Sequence, residues 1–174
     1  MQPFNEKKPA ALSSEVLKVL ARVTSDRDLN GHALAQAVVN LSRLFTTARP
    51  SLPIRYLDDL NHAAAYRSYF LPVNLSKVQV LLDELPNDSS HEIPDRPMAV
   101  LDLGCGPGTG SLALLDWLWH RSPERAKSVS VLAADASQAS LQDAKTCGEK
   151  AGKKDSKRKK TISTNCYRFL VIIR

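Results

Sequence analysis

One stretch constrains this chain more than any other: Val100-Leu-Asp-Leu-Gly-Cys-Gly-Pro-Gly-Thr-Gly110. The apolar run from Met98 to Leu103 reads as a buried strand. It breaks into a turn with glycine at 104, 106 and 108 and opens a helix near Thr109. Glycines there let the backbone take positive φ and approach a ligand closely. A glycine motif carries meaning only in such a strand–turn–helix context. A second strand, Val129 to Ala134, follows the helix and ends at Asp135. The expected fold class is therefore α/β, beginning with a βαβ unit that has an acid at the tip of its second strand. Such units commonly hold a nucleoside-containing cofactor at the carboxyl ends of their strands.

Three readings of the turn compete. A dinucleotide fingerprint needs G-x-G-x-x-G/A, with helix N–H groups facing a pyrophosphate. Gly104 and Gly106 fit it, but the third position falls on Thr109, and Pro107 removes a donor. A ligand without phosphate tolerates that loss better. S-adenosylmethionine is such a ligand, built of adenosine, a sulfonium and an amino acid. Asp102 stands two residues before the first glycine, well placed for a cationic amine, and Asp135 can accept both ribose hydroxyls. The D-x-G-x-G-x-G run thus resembles the first motif of class I methyltransferases. The third reading is a turn that only packs strand on helix. Cys105, inside the turn, is either a reactive thiol near a helix N-terminus or a small residue filling tight space, the second being the commoner case.

The rest of the chain reads as helical before the turn. Ser13 or Ser14 caps a helix to about Thr24, with Val16, Leu20 and Val23 on one face. Asn30 caps a second to about Ala48, with Leu34, Ala37, Val38, Leu41, Leu44 and Phe45 inward. Asp58 or Asp59 starts a third, Leu60 to Phe70, which Leu71-Pro72 closes. Asn74 caps a fourth to Leu85, with Val78, Leu81, Leu82 and Leu85 inward. The organisation expected is a helical region over 1–85, a proline-containing linker over 86–97, the βαβ part over 98–147 and a basic tail over 148–174. The helix from Thr109 to His120 is apolar on nearly all sides, as expected of one covered by both a sheet and other helices. Residues 122–127 read as a loop, and a further helix runs from about Ser137 to Cys147.

Charge is unevenly placed. Residues 1–149 hold 15 Lys/Arg and 17 Asp/Glu, whereas residues 150–174 hold 9 and 1. The body thus offers no net-charge case for nucleic acid, and the whole basic excess lies in the tail. The Lys-rich run there, with Lys153, Lys154, Lys157, Arg158, Lys159 and Lys160, is a candidate RNA grip and equally a solvated, disordered run. Residues 167–174 are strand-like. No apolar run approaches the roughly 18 residues that cross a membrane. Cys105, Cys147 and Cys166 form neither a disulfide framework nor a metal motif, so a cytoplasmic setting is the default expectation. His32, His62, His91 and His120 lie far apart and read as surface residues. Tyr66, Tyr69 and Phe70 can stack on a base or build core, and core is the ordinary outcome at helical spacing. Arg67 beside them reads as a solvated residue, with phosphate contact as the sharper alternative.

A wider resemblance covers about residues 30–145. It is carried by Leu-Ser-Arg-Leu-Phe at 41–45, Tyr56-Leu-Asp-Asp59, Ala65-Tyr-Arg-Ser-Tyr-Phe-Leu-Pro-Val-Asn74 and the glycine stretch running on to Trp117. This order resembles the ribosomal small-subunit family of methyltransferase-like proteins, which includes a mitochondrial small-subunit protein and bacterial relatives. The Tyr-Phe-Leu-Pro-Val-Asn element discriminates; the glycine motif alone fits many methyltransferases. The resemblance implies a helical region on a Rossmann-like class I methyltransferase sheet, with S-adenosylmethionine as cofactor. It also implies a link to the small ribosomal subunit, through rRNA methylation or subunit assembly. Cofactor contacts would fall on Asp102, Gly104, Gly106, Gly108 and Asp135, with Cys105 in the same turn.

The chain departs from that family after Asp135. Only 39 residues follow, many of them lysine, and the cysteine cluster that the resemblance implies for the C-terminal half of members related to the mitochondrial protein has no counterpart here. The expectation is a truncated or frame-shifted fragment that carries the cofactor half of a site, no identifiable catalytic residue and little or no activity alone. The alternative is a non-catalytic ribosome-assembly or RNA-binding factor that uses the fold as a surface.

Overall fold

The computed structural model describes residues 12–25, 29–84, 97–151 and 168–173. Helices α1 (Ser14–Ser25), α2 (Gly31–Phe45), α3 (Leu60–Ala65) and α4 (Leu71–Asp83) precede strand β1 (Met98–Leu103). Then come α5 (Thr109–Arg121), a single turn α6 (Pro123–Ala126), β2 (Val129–Asp135), α7 (Gln138–Ala151) and β3 (Arg168–Ile173). The strands form one parallel sheet in the order β1-β2-β3. The α/β expectation holds, and β3 answers the strand-like pattern of the last residues. The loop expected over 122–127 contains the turn α6. The Lys-rich segment 153–160, His91, Cys166 and most of the linker lie outside the described residues.

Three layers account for the core. Val129, Val131 and Ala133 of β2 point to one sheet face, where Leu115 and Leu118 of α5 and Leu141 and Ala144 of α7 cover them. Burying apolar side chains on both sides of a helix requires a second layer, and the N-terminal helices supply it. Val16, Val19, Leu20 and Val23 of α1 join Leu71 and Leu75 of α4 against Leu112 and Ala113 of α5 and Cys147 of α7. So α5 is sandwiched, as its all-round apolar sequence demands. The opposite sheet face is bare among the described residues: Leu101 is 60 % and Leu103 73 % exposed. A third cluster joins Ala37, Leu41 and Ala65 to an aromatic nest of Phe45, Tyr56, Tyr66 and Phe70. Phe45 meets Tyr56 and Phe70 edge-on at centroid distances of 5.5 and 5.1 Å. Tyr66 and Phe70 are therefore partly buried and packed against this core cluster, while Tyr69 stays half exposed.

Local capping follows the sequence at three helices. Ser13 Oγ accepts from Val16 N, Asn30 Oδ1 from Ala33 N, and Asp59 Oδ1 from His62 N. The expected stop at Leu71-Pro72 does not occur, and Asn74 caps nothing. A π-helical turn, Tyr66–Phe70, carries α3 directly into α4. Leu71 N–H donates to Tyr66 O, one residue further back than in an α-helix. That extra residue shifts the ladder just where Pro72 has no N–H to give, so the chain stays helical through a proline. The phase of α4 changes accordingly. Leu71, Leu75 and Gln79 face inward, whereas Leu81, expected in the core, is 64 % exposed. Gln79 is buried because its Nε2 donates to Asp116 Oδ2 at 2.7 Å, which also accepts from Ser13 N. At the far end of the same helix pair, Asp83 Oδ1 accepts from Trp117 Nε1 and Arg121 Nη2.

Candidate functional site

The glycine turn is built by extending the ladder beyond the strands. Leu103 pairs with Ala134 at the end of the parallel register. Gly104 N–H and Cys105 N–H then both donate to Ala134 O, at 2.8 and 3.1 Å. The chain can double back this sharply only in the left-handed region: Gly104, Gly106 and Gly108 have φ of +68°, +53° and +87°. Gly108 N–H donates to Cys105 O, and Gly108 O receives Leu112 N–H as the first bond of α5. The glycines differ in what surrounds them. A side chain at Gly104 would meet open space, one at Gly106 would touch Leu57, and one at Gly108 would lie 3.3 Å from Ala144 Cβ. Gly104→Ala is therefore expected to cost only the left-handed strain, about 1–2 kcal/mol. Gly108→Ala adds a crowded contact with α7 and costs more. Urea unfolding of the two variants checks the order, and equal losses would contradict the crowding argument.

Two carboxylates flank the turn. Asp102 Oδ2 accepts from Ser111 N at 3.1 Å and Ser111 Oγ at 2.5 Å, so a negative charge sits at the start of α5. That is a favourable place for it. Asp135 binds through both oxygens: Oδ2 accepts from Gly106 N and Oδ1 from Ser137 N, each at 2.8 Å. The six residues expected to contact a cofactor, Asp102, Gly104, Cys105, Gly106, Gly108 and Asp135, thus lie in one connected structure.

The amide donors from Gly104 to Gly108 are already used. Gly104, Cys105, Gly106 and Gly108 give their N–H groups to Ala134 O, Asp135 and Cys105 O, and Pro107 has none. Ser111 N–H, in the first turn of α5, is held by Asp102. A pyrophosphate would meet engaged amides from Gly104 to Gly108, and two carboxylates beside the start of α5.

The same charges act on Cys105, which is 3 % exposed. Burial first, then Asp102 and Asp135, push its thiol pKa from 9.0 up to about 12. The reactive-thiol reading of Cys105 fails for that reason, since the thiolate is the nucleophile. A pH dependence follows. The thiol ionises near 9 when unfolded and only near 12 when folded, so its contribution to stability is complete below about pH 9 and falls as pH rises toward 12. The slope is about 1.4 kcal/mol per pH unit for one such group. Tyr56 adds to it in the same direction at higher pH, because burial, Tyr66 and Asp135 hold its phenol protonated. Urea midpoints from pH 8 to 10.5 should fall, and Cys105→Ala should flatten the fall; an unchanged slope in that variant would refute the assignment.

Several residues of this region escaped the sequence. Ser137 Oγ donates to Asp58 Oδ1 at 2.6 Å, Tyr66 OH and Thr109 Oγ1 share a bond of 3.4 Å, and Arg67 Nη1 reaches Asp143 Oδ2 at 2.7 Å. All three tie the N-terminal region to elements that carry the turn. Arg67 is a correction: it is neither solvated nor directed at phosphate but 4 % exposed, turned onto α7 by the π turn. Of the histidines, His32 and His120 are exposed, while His62 is partly buried with Nδ1 3.2 Å from Tyr56 O. Among the described residues no group of His, Cys, Asp or Glu could hold a metal ion. No helix among them is long and apolar enough to cross a membrane. No protein-family model matches the chain, and no curated protein matches it either.

Proposed function

We propose that the glycine turn binds S-adenosylmethionine, and that the chain is a methyltransferase-like protein carrying the first part of a class I methyltransferase sheet. The observation that supports this best is electrostatic. The amides of Gly104, Cys105, Gly106 and Gly108 are consumed internally, and carboxylates stand at both ends of the turn. A ligand that needs free amides and positive potential, such as a dinucleotide or nucleoside triphosphate, is disfavoured there. A ligand with a sulfonium, an ammonium and a ribose is favoured. Asp135 would accept the ribose hydroxyls on the lone pairs its backbone donors leave over, and Asp102 would face the cationic end. When bound, the sulfonium supplies an electrophilic methyl group. These residues orient its carrier, and no residue here is assigned to the transfer itself. The link to the small ribosomal subunit or its rRNA rests on the resemblance over residues 30–145 alone.

The test is a competition by calorimetry. S-adenosylmethionine and S-adenosylhomocysteine are expected to bind the full chain at least about 100-fold more tightly than NAD or ATP, a gap of roughly 2.7 kcal/mol. Binding of NAD or ATP without binding of either sulfur nucleoside would sink the reading. Co-sedimentation with small ribosomal subunits tests the partner separately.

A further inference from the structure

The turn Tyr56–Asp58 belongs to the helical region, yet it lies on the glycine turn. Leu57, 4 % exposed, places its Cδ1 3.8 Å from where a Gly106 side chain would begin. Asp58 accepts the Ser137 hydroxyl, Ser137 N–H donates to Asp135 Oδ1, and Asp135 Oδ2 accepts from Gly106 N–H. The contacts close a circuit: Asp58, Ser137, Asp135, Gly106, Leu57 and back. Three of its links are hydrogen bonds, Leu57 closes it by lying beside Gly106, and Asp135 is its centre. The other oxygen of Asp58 takes part in a surface ion pair with Arg55 at 2.7 Å.

We propose that the Tyr56–Asp58 turn is a wall of the nucleoside site, and that Asp58 is a positioning residue which, through Ser137, sets Asp135 for the ribose. This rests on the methyl-donor reading above. Its consequence is linkage: ligand binding and docking of this turn on the βαβ unit stabilise one another, because both need the same placement of Asp135. A separable helical region would show no such coupling. Ser137 Oγ also accepts from Ser140 N as a cap of α7, so substitution at Ser137 would mix two effects, and Asp58 is the cleaner position.

The experiment measures S-adenosylhomocysteine affinity, and the rise in thermal midpoint it produces, for the full chain and three variants. Asp58→Ala is expected to bind about ten-fold more weakly, as expected for one lost polar contact. Asp58→Asn keeps an acceptor for the Ser137 hydroxyl and should retain most of the affinity. Arg55→Ala, which removes only the surface pair, should match the parent. A purely structural role would lower the ligand-free midpoint of Asp58→Ala and leave the ligand-induced rise unchanged, which overturns the proposal. Hydrogen exchange of the unsubstituted chain gives a reading independent of any variant's folding. Amides at residues 56–58 should gain protection when the ligand binds, and no gain overturns the coupling. If the unsubstituted chain binds no S-adenosylhomocysteine, the methyl-donor reading itself falls, an outcome distinct from binding that ignores Asp58.

Discussion

Replacing Arg67 by alanine is expected to destabilise the chain by about 3–5 kcal/mol, the cost of leaving one member of a buried ion pair alone. Arg67 and Asp143 meet at 2.7 Å with side chains 4 % and 14 % exposed. The attraction between them only offsets the loss of their hydration, so the pair itself contributes little net stability. Removing one partner leaves the other desolvated, and that is where the large cost arises. Asp143 keeps some access to water, which argues for the lower end of the range. The alanine also removes an aliphatic stem packed beneath α7. A double variant, Arg67→Met with Asp143→Leu, should recover much of the loss, since apolar replacements of similar volume often equal a buried pair. Urea unfolding of the parent, single and double variants measures it. A loss below about 1 kcal/mol for Arg67→Ala would mean the site hydrates freely.

The same residue marks the border of what the sequence discloses. Strand β1, the glycine turn and the start of α5 are legible because a short apolar run followed by glycines at two-residue spacing has few local solutions. The caps at Ser13, Asn30 and Asp59 are legible for a similar reason, each acting within three residues of itself. The ties that place the helical region on the site are not local: Asp58 is 79 positions from Ser137, and Arg67 is 76 from Asp143. Nothing in the neighbourhood of either residue distinguishes it from a solvated surface charge. Pro72 misleads in a different way. The local rule that proline ends a helix is sound, but one π turn shifts the hydrogen-bond register and satisfies it without a break. That turn also rotates Arg67 inward, so a single misread element hides both the continuous helix and the buried ion pair. Gln79 escapes because a buried polar residue looks like an exposed one until its partner, Asp116, is known.

The residue expected to matter most for binding is Asp135, and the conservative substitution there should be almost as damaging as the drastic one. Asp135→Ala removes the acceptor of Gly106 N–H and of Ser137 N–H, both in buried surroundings. Each orphaned donor costs on the order of 1–3 kcal/mol. Asp135→Asn restores the shape but not the chemistry. One of its two terminal groups is an NH2, and both positions face backbone donors, so one N–H must confront another. The ribose would lose an ionised acceptor as well. On the proposed methyl-donor reading, affinity for S-adenosylmethionine is expected to fall on the order of 100-fold or more in both variants, each tenfold being about 1.4 kcal/mol. Asp135→Asn should lie closer to Asp135→Ala than to the parent. The Cys105 thiol offers an internal control. Burial is the leading cause of its raised pKa and Asp135 a lesser one, so the pKa should drop only part of the way from about 12 toward 9.0. Calorimetry on the folded variants, with the thiol titrated by its ultraviolet absorbance in parallel, separates a lost contact from a collapsed turn. Full affinity in Asp135→Asn would show that shape alone suffices at this position, and would remove the carboxylate from the argument for a ribose.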